Sequence, residues 1–306
     1  MTGAAGFIGG ALCRGLVARG HEVLGITRRP AEPIPGMALL AIGDISPATP
    51  WSAHLRGIDL VAHLAGTAHR RLNAAFSASE PAAAAALARA AAAAGVRRLL
   101  LMSSLKAMGE TTAPGRPFRA ADPAAPASRY GALKLAVEEA FAAAARETGI
   151  EFVILRPPLV YGPGVKANFR ALLRLAASGL PLPFARIDNR RSLIFLDNLV
   201  DLAAVAAFHS AAPAGIWLTR DVDLATPELI RALAAALGRP ARLYALPAAF
   251  RALARRVPAI APLASSLAVD DAATREALGW TPRVSVEAGF AATAQAFLDE
   301  DLRRRR

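Results

Sequence analysis

The chain opens on Thr2-Gly3-Ala4-Ala5-Gly6-Phe7-Ile8-Gly9, three glycines at three-residue intervals at the start of 306 residues. Glycines at this spacing let the backbone turn tightly, approach a pyrophosphate closely and seat the next helix on a sheet. The free N–H groups of that helix then face the anion. Ala11, Leu12, Leu16 and Val17 recur at helical spacing up to Gly20, which predicts the helix. The strand that normally leads into such a turn has no residues ahead of Thr2. It would be the central strand of a doubly wound sheet, and without it two buried strands lack a hydrogen-bonding neighbour. The expectation is a start codon placed too late, or a trimmed chain.

Beyond the turn, strands and helices alternate, which argues for a parallel sheet with helices on both faces. Strands are predicted at 21–27, 37–42, 60–65, 98–103 and 152–155, and helices between them. The alanine-rich stretch from Pro81 to Ala94, stopped by Gly95, reads as a helix of high propensity. The Pro-rich segment 114–126 reads as a loop over a pocket mouth. After Pro157 the elements shorten and are broken by Pro and Gly. This divides the chain into a cofactor domain over 1–156 and a smaller substrate-binding lobe over 157–306, with some segments returning to the first.

The net charge of +12 comes almost wholly from arginine, since lysine occurs only at 106, 134 and 166. No basic stripe interleaves with aromatics, so the charge reads as a solvated surface and nucleic acid is not expected as a partner. A single cysteine, Cys13, allows no internal disulfide, and no secretory signal or long apolar span is present. No metal cluster is expected, and neither is stable membrane insertion; the default location is the cytoplasm.

The second chemical signal is Tyr130-Gly131-Ala132-Leu133-Lys134 on a helix predicted from Ser128 to Arg146. A tyrosine and a lysine one turn apart project to the same side. A phenol titrates near pH ~10 and is a poor base at neutrality; a neighbouring ammonium favours the phenolate and brings its pKa down. Arginine, with its spread and rigid guanidinium, does not replace that point charge. Third, the apolar run Leu99 to Met102 ends in Ser103-Ser104 at the carboxyl end of a strand, the edge at which such sheets bind ligands. Either Ser104 binds a sugar hydroxyl or keto oxygen while Tyr130 moves the proton, or both serines cap backbone groups.

Together with Gly43-Asp44-Ile45, Asp59-Leu-Val-Ala-His63-Leu64-Ala65-Gly66, Arg156-Pro157-Pro158 and Val160-Tyr-Gly-Pro163, these residues resemble the extended short-chain dehydrogenase/reductases that act on nucleotide sugars, the NAD-dependent epimerase/dehydratases. The likeness covers nearly the whole chain. It implies an α/β fold with a Rossmann-type doubly wound sheet, its first strand truncated, and a C-terminal substrate-binding lobe. It also implies that Gly3, Gly6, Phe7, Ile8 and Gly9 hold the cofactor pyrophosphate, that Asp44 and Ile45 lie by the adenine, and that Leu64, Ala65 and Gly66 run along its middle. Pro157 would face the nicotinamide, and Ser103 would also belong to the cofactor site. Lys134 would bind the nicotinamide ribose and lower the Tyr130 pKa. The catalytic set is then Ser104, Tyr130 and Lys134. The 4,6-dehydratases of this family carry an Asp-Glu pair after the catalytic serine or threonine; here Leu105 and Lys106 stand there, which argues against water loss.

Cofactor choice is read from the end of the second strand of the sheet, where NAD enzymes place a carboxylate for the adenosine ribose. This chain has Thr27-Arg28-Arg29, a hydroxyl and two guanidiniums suited to a 2′-phosphate, so NADP(H) is expected ahead of NAD(H). The wider pattern resembles a bacterial surface-polysaccharide subgroup that includes 4-ketoreductases of UDP-4-keto-6-deoxy-N-acetylhexosamines beside proteins labelled 4-epimerases. A non-catalytic dinucleotide-binding protein is the remaining alternative. For the UDP-sugar, the resemblance places Arg191 on the diphosphate, Asn168 and Phe169 in the cleft, and Asp270 by the uridine, where a plain helix cap is the other reading; Lys106 completes the set. The segment 246–269, with Arg251, Arg255 and Arg256, is read as a lid in preference to a membrane-touching surface. Homodimers through the Tyr130 helix are common in the family and are expected here.

Overall fold

A computed structural model describes residues 1–66, 74–209, 214–245 and 261–305. The segment 246–260, which carries the lid expectation and its three arginines, lies outside the described residues. The first unit alternates α1 (Phe7–Val17), β1 (Leu24–Thr27), β2 (Ala38–Ala41), β3 (Leu60–His63), α2 (Ala74–Ala93), β4 (Arg98–Met102), α3 (Arg129–Thr148) and β5 (Glu151–Arg156). Then follow β6 (Leu159–Tyr161), α4 (Ala167–Ala177), β7 (Arg191–Phe195), α5 (Leu196–Phe208), β8 (Gly215–Leu218), β9 (Val222–Leu224) and α6 (Thr226–Ala236). Among the described residues three further helices follow, Ala261–Ala264, Ala272–Leu278 and Val286–Arg305.

β3, β4, β5 and β8 pair in that order, all parallel, and β1 pairs in parallel with β2. Thr2 joins the two groups by bridging to Ile26 and to His63. Met1 and Thr2 thus stand at the centre of the sheet, between β1 and β3. Ile26 N–H donates to Met1 C=O at 2.7 Å and Thr2 N–H to Ala62 C=O at 2.9 Å. The expectation of two wholly unpartnered strands is corrected to that extent.

Successive strand residues face opposite sides of the sheet, and both sides are covered. Leu99, Leu101, Phe152 and Ile154 pack beneath α2 and α3, while Leu100, Met102, Val153 and Leu155 pack beneath α1 and α5. β8 and α5 thus return to the first unit from the second half of the chain. A separate core around Tyr161, Phe169, Leu193 and Phe290 organises β6, β7, α4, α6 and the last helix. Three predicted elements end differently. α2 begins at Ala74 and runs through Pro81, an interior proline that forfeits one helical hydrogen bond and is held by packing. α3 is capped by Ser128, whose hydroxyl accepts from Gly131 N–H at 3.0 Å. The helix expected to begin at Asp270 has Asp271 as its N-cap residue instead. No described helix is long and apolar enough to cross a membrane.

Candidate active site

The cradle is fixed by contacts that leave no room for a side chain. Gly3 sits at φ +72°, and a Cβ there would lie 2.7 Å from Ala65 N. A Cβ on Gly9 would lie 2.0 Å from the Gly3 carbonyl oxygen, so this glycine is what lets α1 close against the turn. Gly6 N–H donates to the same carbonyl at 2.9 Å. Thr2 locks the far side: its Oγ1 accepts from Leu64 and Ala65 N–H, both at 3.2 Å, and is hydrogen-bonded to His63 Nδ1 at 2.8 Å. Burial, with help from the Lys134 charge, takes His63 down to about 3, so its imidazole is neutral. The glycine turn, the end of β3 and the N-terminus of α1 are thereby held against one another, an arrangement that fits a dinucleotide pyrophosphate at the helix N-terminus.

A Gly9→Ala protein is expected to fold and to lose cofactor affinity by ~10-fold or more, because α1 must back away from the Gly3 carbonyl. Equilibrium titration with circular dichroism as the fold control checks this.

Lys134 reaches the same surface from α3. A Cβ on Gly66 would stand 2.9 Å from Lys134 Nζ and 3.5 Å from Glu80 Oε2, which puts ammonium and carboxylate beside the cofactor's expected midline. Burial lowers the Lys134 pKa, opposed by Glu80 and Glu138. Tyr130 lies one turn before it, with Nζ 5.9 Å from the ring centre. Its hydroxyl is hydrogen-bonded to Ser104. Gly131 makes this approach feasible, since a Cβ there would come within 2.3 Å of the Lys106 carbonyl oxygen. The α3 N-terminus therefore rests directly on the Ser104–Lys106 turn.

The expected lowering of the Tyr130 pKa is not what the structure gives. Burial raises it; the Ser104 hydrogen bond pulls it down, and Glu80 and Glu110 push it further up. Desolvation is the largest influence, and the two carboxylates add to it. Tyr130 is held as the neutral phenol, the form that donates a proton.

Other sequence-named residues divide clearly. Arg28 and Asp44 share the outer rim, Nη1 3.7 Å from Oδ1 and both largely exposed. Arg29 is exposed beside them, and Ile45 packs at the edge of the core under α2. Thr27, in contrast, is buried and spends its hydroxyl on the Arg29 carbonyl at 2.8 Å, so it shapes the turn and does not face a ligand. Lys106 pairs with Glu110 at 2.8 Å, Glu110 accepts from Ser128, and its charge also acts on Arg191. Arg191 donates to Ser265 C=O at 3.2 Å. Asn168 is exposed on the first turn of α4. Phe169 is not a cleft residue: it is 1% exposed and stacks on Tyr161 in the lobe core. Asp270 is paired with Arg119 at 3.3 Å, where the segment 266–270 bonds to the predicted loop 114–126 through Phe118.

Ser103 also has a different task. Its hydroxyl donates to Glu138, which is buried in an ion pair with Arg156. Ser103 N–H and Leu105 N–H donate to Leu155 and Pro157 carbonyls at 2.8 and 2.9 Å. This network ties the carboxyl ends of β4 and β5 to the turn of α3 that follows Lys134. Glu80, Glu110 and Glu138 were not singled out in the sequence. For Glu138 a signal existed, since it stands four residues after Lys134 on the same helix face; Glu80 and Glu110 lie far from the motif in sequence and are brought to it only by the fold.

The model of the NAD dependent epimerase/dehydratase family matches residues 1–217. The UDP-glucose 4-epimerase of Vibrio cholerae is 36% identical over 315 residues, covering 99% of this chain and 96% of its own length. The dTDP-6-deoxy-L-talose 4-dehydrogenase (NAD(P)(+)) of Kitasatospora kifunensis is 30% identical over 311 residues, with 92% and 90% covered. In fold, the chain is similar to the solved UDP-glucose 4-epimerase of Thermus thermophilus in complex with NAD, at TM-score 0.77 and 21% identity over 97% of each chain.

Proposed function

We propose, from the premise that the chain belongs to the NAD-dependent epimerase/dehydratase family, that it is a nucleotide-sugar oxidoreductase that reduces the C4 ketone of a UDP-4-keto-6-deoxy-N-acetylhexosamine with NADPH, in the making of bacterial surface polysaccharide. The observation that carries this reading is the Ser104–Tyr130 hydrogen-bonded pair beside Lys134, whose Nζ lies against Gly66, with Tyr130 held protonated.

The cradle of Gly3, Gly6 and Gly9 holds the pyrophosphate, Gly66 and Lys134 the middle of the cofactor, and Arg28 with Arg29 a 2′-phosphate. When bound, the nicotinamide supplies the hydride. Tyr130 gives its proton to the forming alkoxide oxygen, Ser104 steadies that oxygen by hydrogen bonding, and Lys134 stabilises the phenolate left behind. Water loss is disfavoured by the two residues after Ser104: Leu105 is buried in a small apolar core and Lys106 is engaged by Glu110. Arg191, on which the Glu110 charge acts, takes the sugar-nucleotide diphosphate in this reading.

The second reading, a 4-epimerase using the same residues and retaining its dinucleotide, is favoured by the Vibrio cholerae relative. Following NADPH absorbance with UDP-4-keto-6-deoxy-N-acetylglucosamine, beside UDP-N-acetylglucosamine and UDP-glucose alone, separates them. Stoichiometric loss of NADPH supports the reductase. Conversion of either simple sugar nucleotide to its C4 epimer, with reductant untouched, replaces it by the epimerase.

The rim carries its own prediction. Arg28→Glu is expected to reduce kcat/KM for NADPH by ~10-fold or more while leaving NADH little changed. Equal losses with both cofactors would remove Arg28 from cofactor choice.

A further inference from the structure

Among the described residues, three carboxylates act on the Tyr130–Lys134 pair, each brought from a different part of the fold. Glu80 comes from α2, Glu110 from the loop between β4 and α3, and Glu138 from α3 itself. His63, at the end of β3, also feels the Lys134 charge and is neutral. Two of the carboxylates are answered by their own cations. Glu138 is enclosed with Arg156, and Glu110 stands 2.8 Å from Lys106. Of the three, Glu80 is the one that bears on both members of the pair, since Glu110 acts on Tyr130 and Glu138 on Lys134.

The packing of α2 on α3 sets its place. Ala84 and Leu87 share a core cluster with Leu133 and Val137, and the small alanine side chain lets the two helices lie close. Glu80 stands one turn before Ala84 on the same helix face, which carries its carboxylate toward the turn that holds Lys134. There Gly66 puts no side chain in the way: a Cβ on it would meet Lys134 Nζ at 2.9 Å and Glu80 Oε2 at 3.5 Å. Lys134 is buried and Glu80 half-buried, so water screens their charges less than at the surface.

We propose that Glu80 is a positioning residue for proton transfer: its carboxylate, standing beside Lys134 at Gly66, keeps the lysine an ammonium and the neighbouring tyrosine a phenol. Glu80 thereby holds the resting pair in the state that donates a proton. The inference rests on the proton-transfer role given above to Ser104, Tyr130 and Lys134, and it assigns the resting state of that set to a residue outside the motif. A negative charge favours an ammonium and disfavours a phenolate. At Lys134 the Glu80 charge opposes burial, and at Tyr130 it adds to burial. Removing it lets the phenol ionise at lower pH.

The test reads Tyr130 ionisation in the absence of substrate, by ultraviolet absorbance of the phenolate against pH. The chain has three tyrosines, so the Tyr130 signal is the difference between each protein and its Tyr130→Phe counterpart. Circular dichroism at each pH confirms the fold. In Glu80→Gln the midpoint is expected at lower pH than in the parent, with ~3-fold or more phenolate at a fixed pH below the midpoint. Glu80→Asp keeps the charge and is expected to stay near the parent. Glu110→Gln, where Lys106 already answers the charge, is expected to move the midpoint less than Glu80→Gln does. The alkaline fall in ketone reduction moves with the midpoint. If no ketone is reduced, the substrate reading fails, while the titration still decides the role of Glu80. A midpoint unmoved or raised in Glu80→Gln, an equal fall in Glu80→Asp, or a larger fall in Glu110→Gln would each overturn the proposal.

Discussion

Replacing Tyr130 with Phe lowers turnover by ~10²–10⁴-fold and leaves dinucleotide affinity close to that of the parent. The phenol has few structural duties: its hydroxyl bonds to Ser104 and the ring lies beside Lys134 Nζ. Loss of the oxygen removes the proton donor and one hydrogen bond to Ser104, while the cradle built on Gly3 and Gly9 is untouched. The pH profile carries the sign. Because the Tyr130 pKa is raised, the phenol is protonated throughout the neutral range. Reduction therefore runs at an even rate there and falls only when the phenol ionises in alkali, whereas the reverse oxidation quickens as pH rises. Steady-state kinetics of parent and variant in both directions read this out. A Phe variant with full turnover would exclude Tyr130 as the proton donor.

Glu138→Leu is expected to destabilise the protein by about 3–5 kcal/mol, because it strands the Arg156 guanidinium in the interior. Glu138 and Arg156 side chains are only 3% and 4% exposed, and Ser103 loses its acceptor at the same time. The fall in Tm is on the order of 10 °C. The double variant Glu138→Leu/Arg156→Met, with no charge left unpaired, recovers much of the loss. Thermal unfolding of the three proteins measures this. Additive losses in the double variant would show that the two side chains act independently. Because the network joins β4, β5 and the turn of α3 after Lys134, the single variant also displaces Lys134 from Gly66 and weakens dinucleotide binding.

The parallel sheet and the chemistry-bearing motifs were legible in the sequence for physical reasons. Leu99 to Met102 and Phe152 to Leu155 are apolar without interruption because both sheet faces are covered. Gly3 and Gly9 mark positions where a Cβ collides with backbone. Tyr130 and Lys134 share a helix face at fixed spacing. What escaped the reading depended on distant contacts. Phe169 stands next to Asn168, but the helical turn sends it into the lobe core against Tyr161. Ser103 and Ser104 are neighbours on one strand end, yet alternation sends the first to Glu138 and the second to Tyr130. The direction of the Tyr130 shift depends on burial and on Glu80 and Glu110, quantities that a spacing of four residues does not contain. β8 was missed because a four-residue strand, Gly215–Leu218, gives too short a pattern to separate from a loop.

The central claim is that hydride enters the sugar at C4 while Tyr130 supplies the proton. It is tested most directly by turnover of UDP-4-keto-6-deoxy-N-acetylglucosamine with NADPH stereospecifically deuterated at the transferring position, followed by mass and NMR analysis of the sugar. The account predicts one deuterium per product, bound at C4, from one face of the nicotinamide only. Product formed without deuterium, or with deuterium at any carbon other than C4, would contradict it.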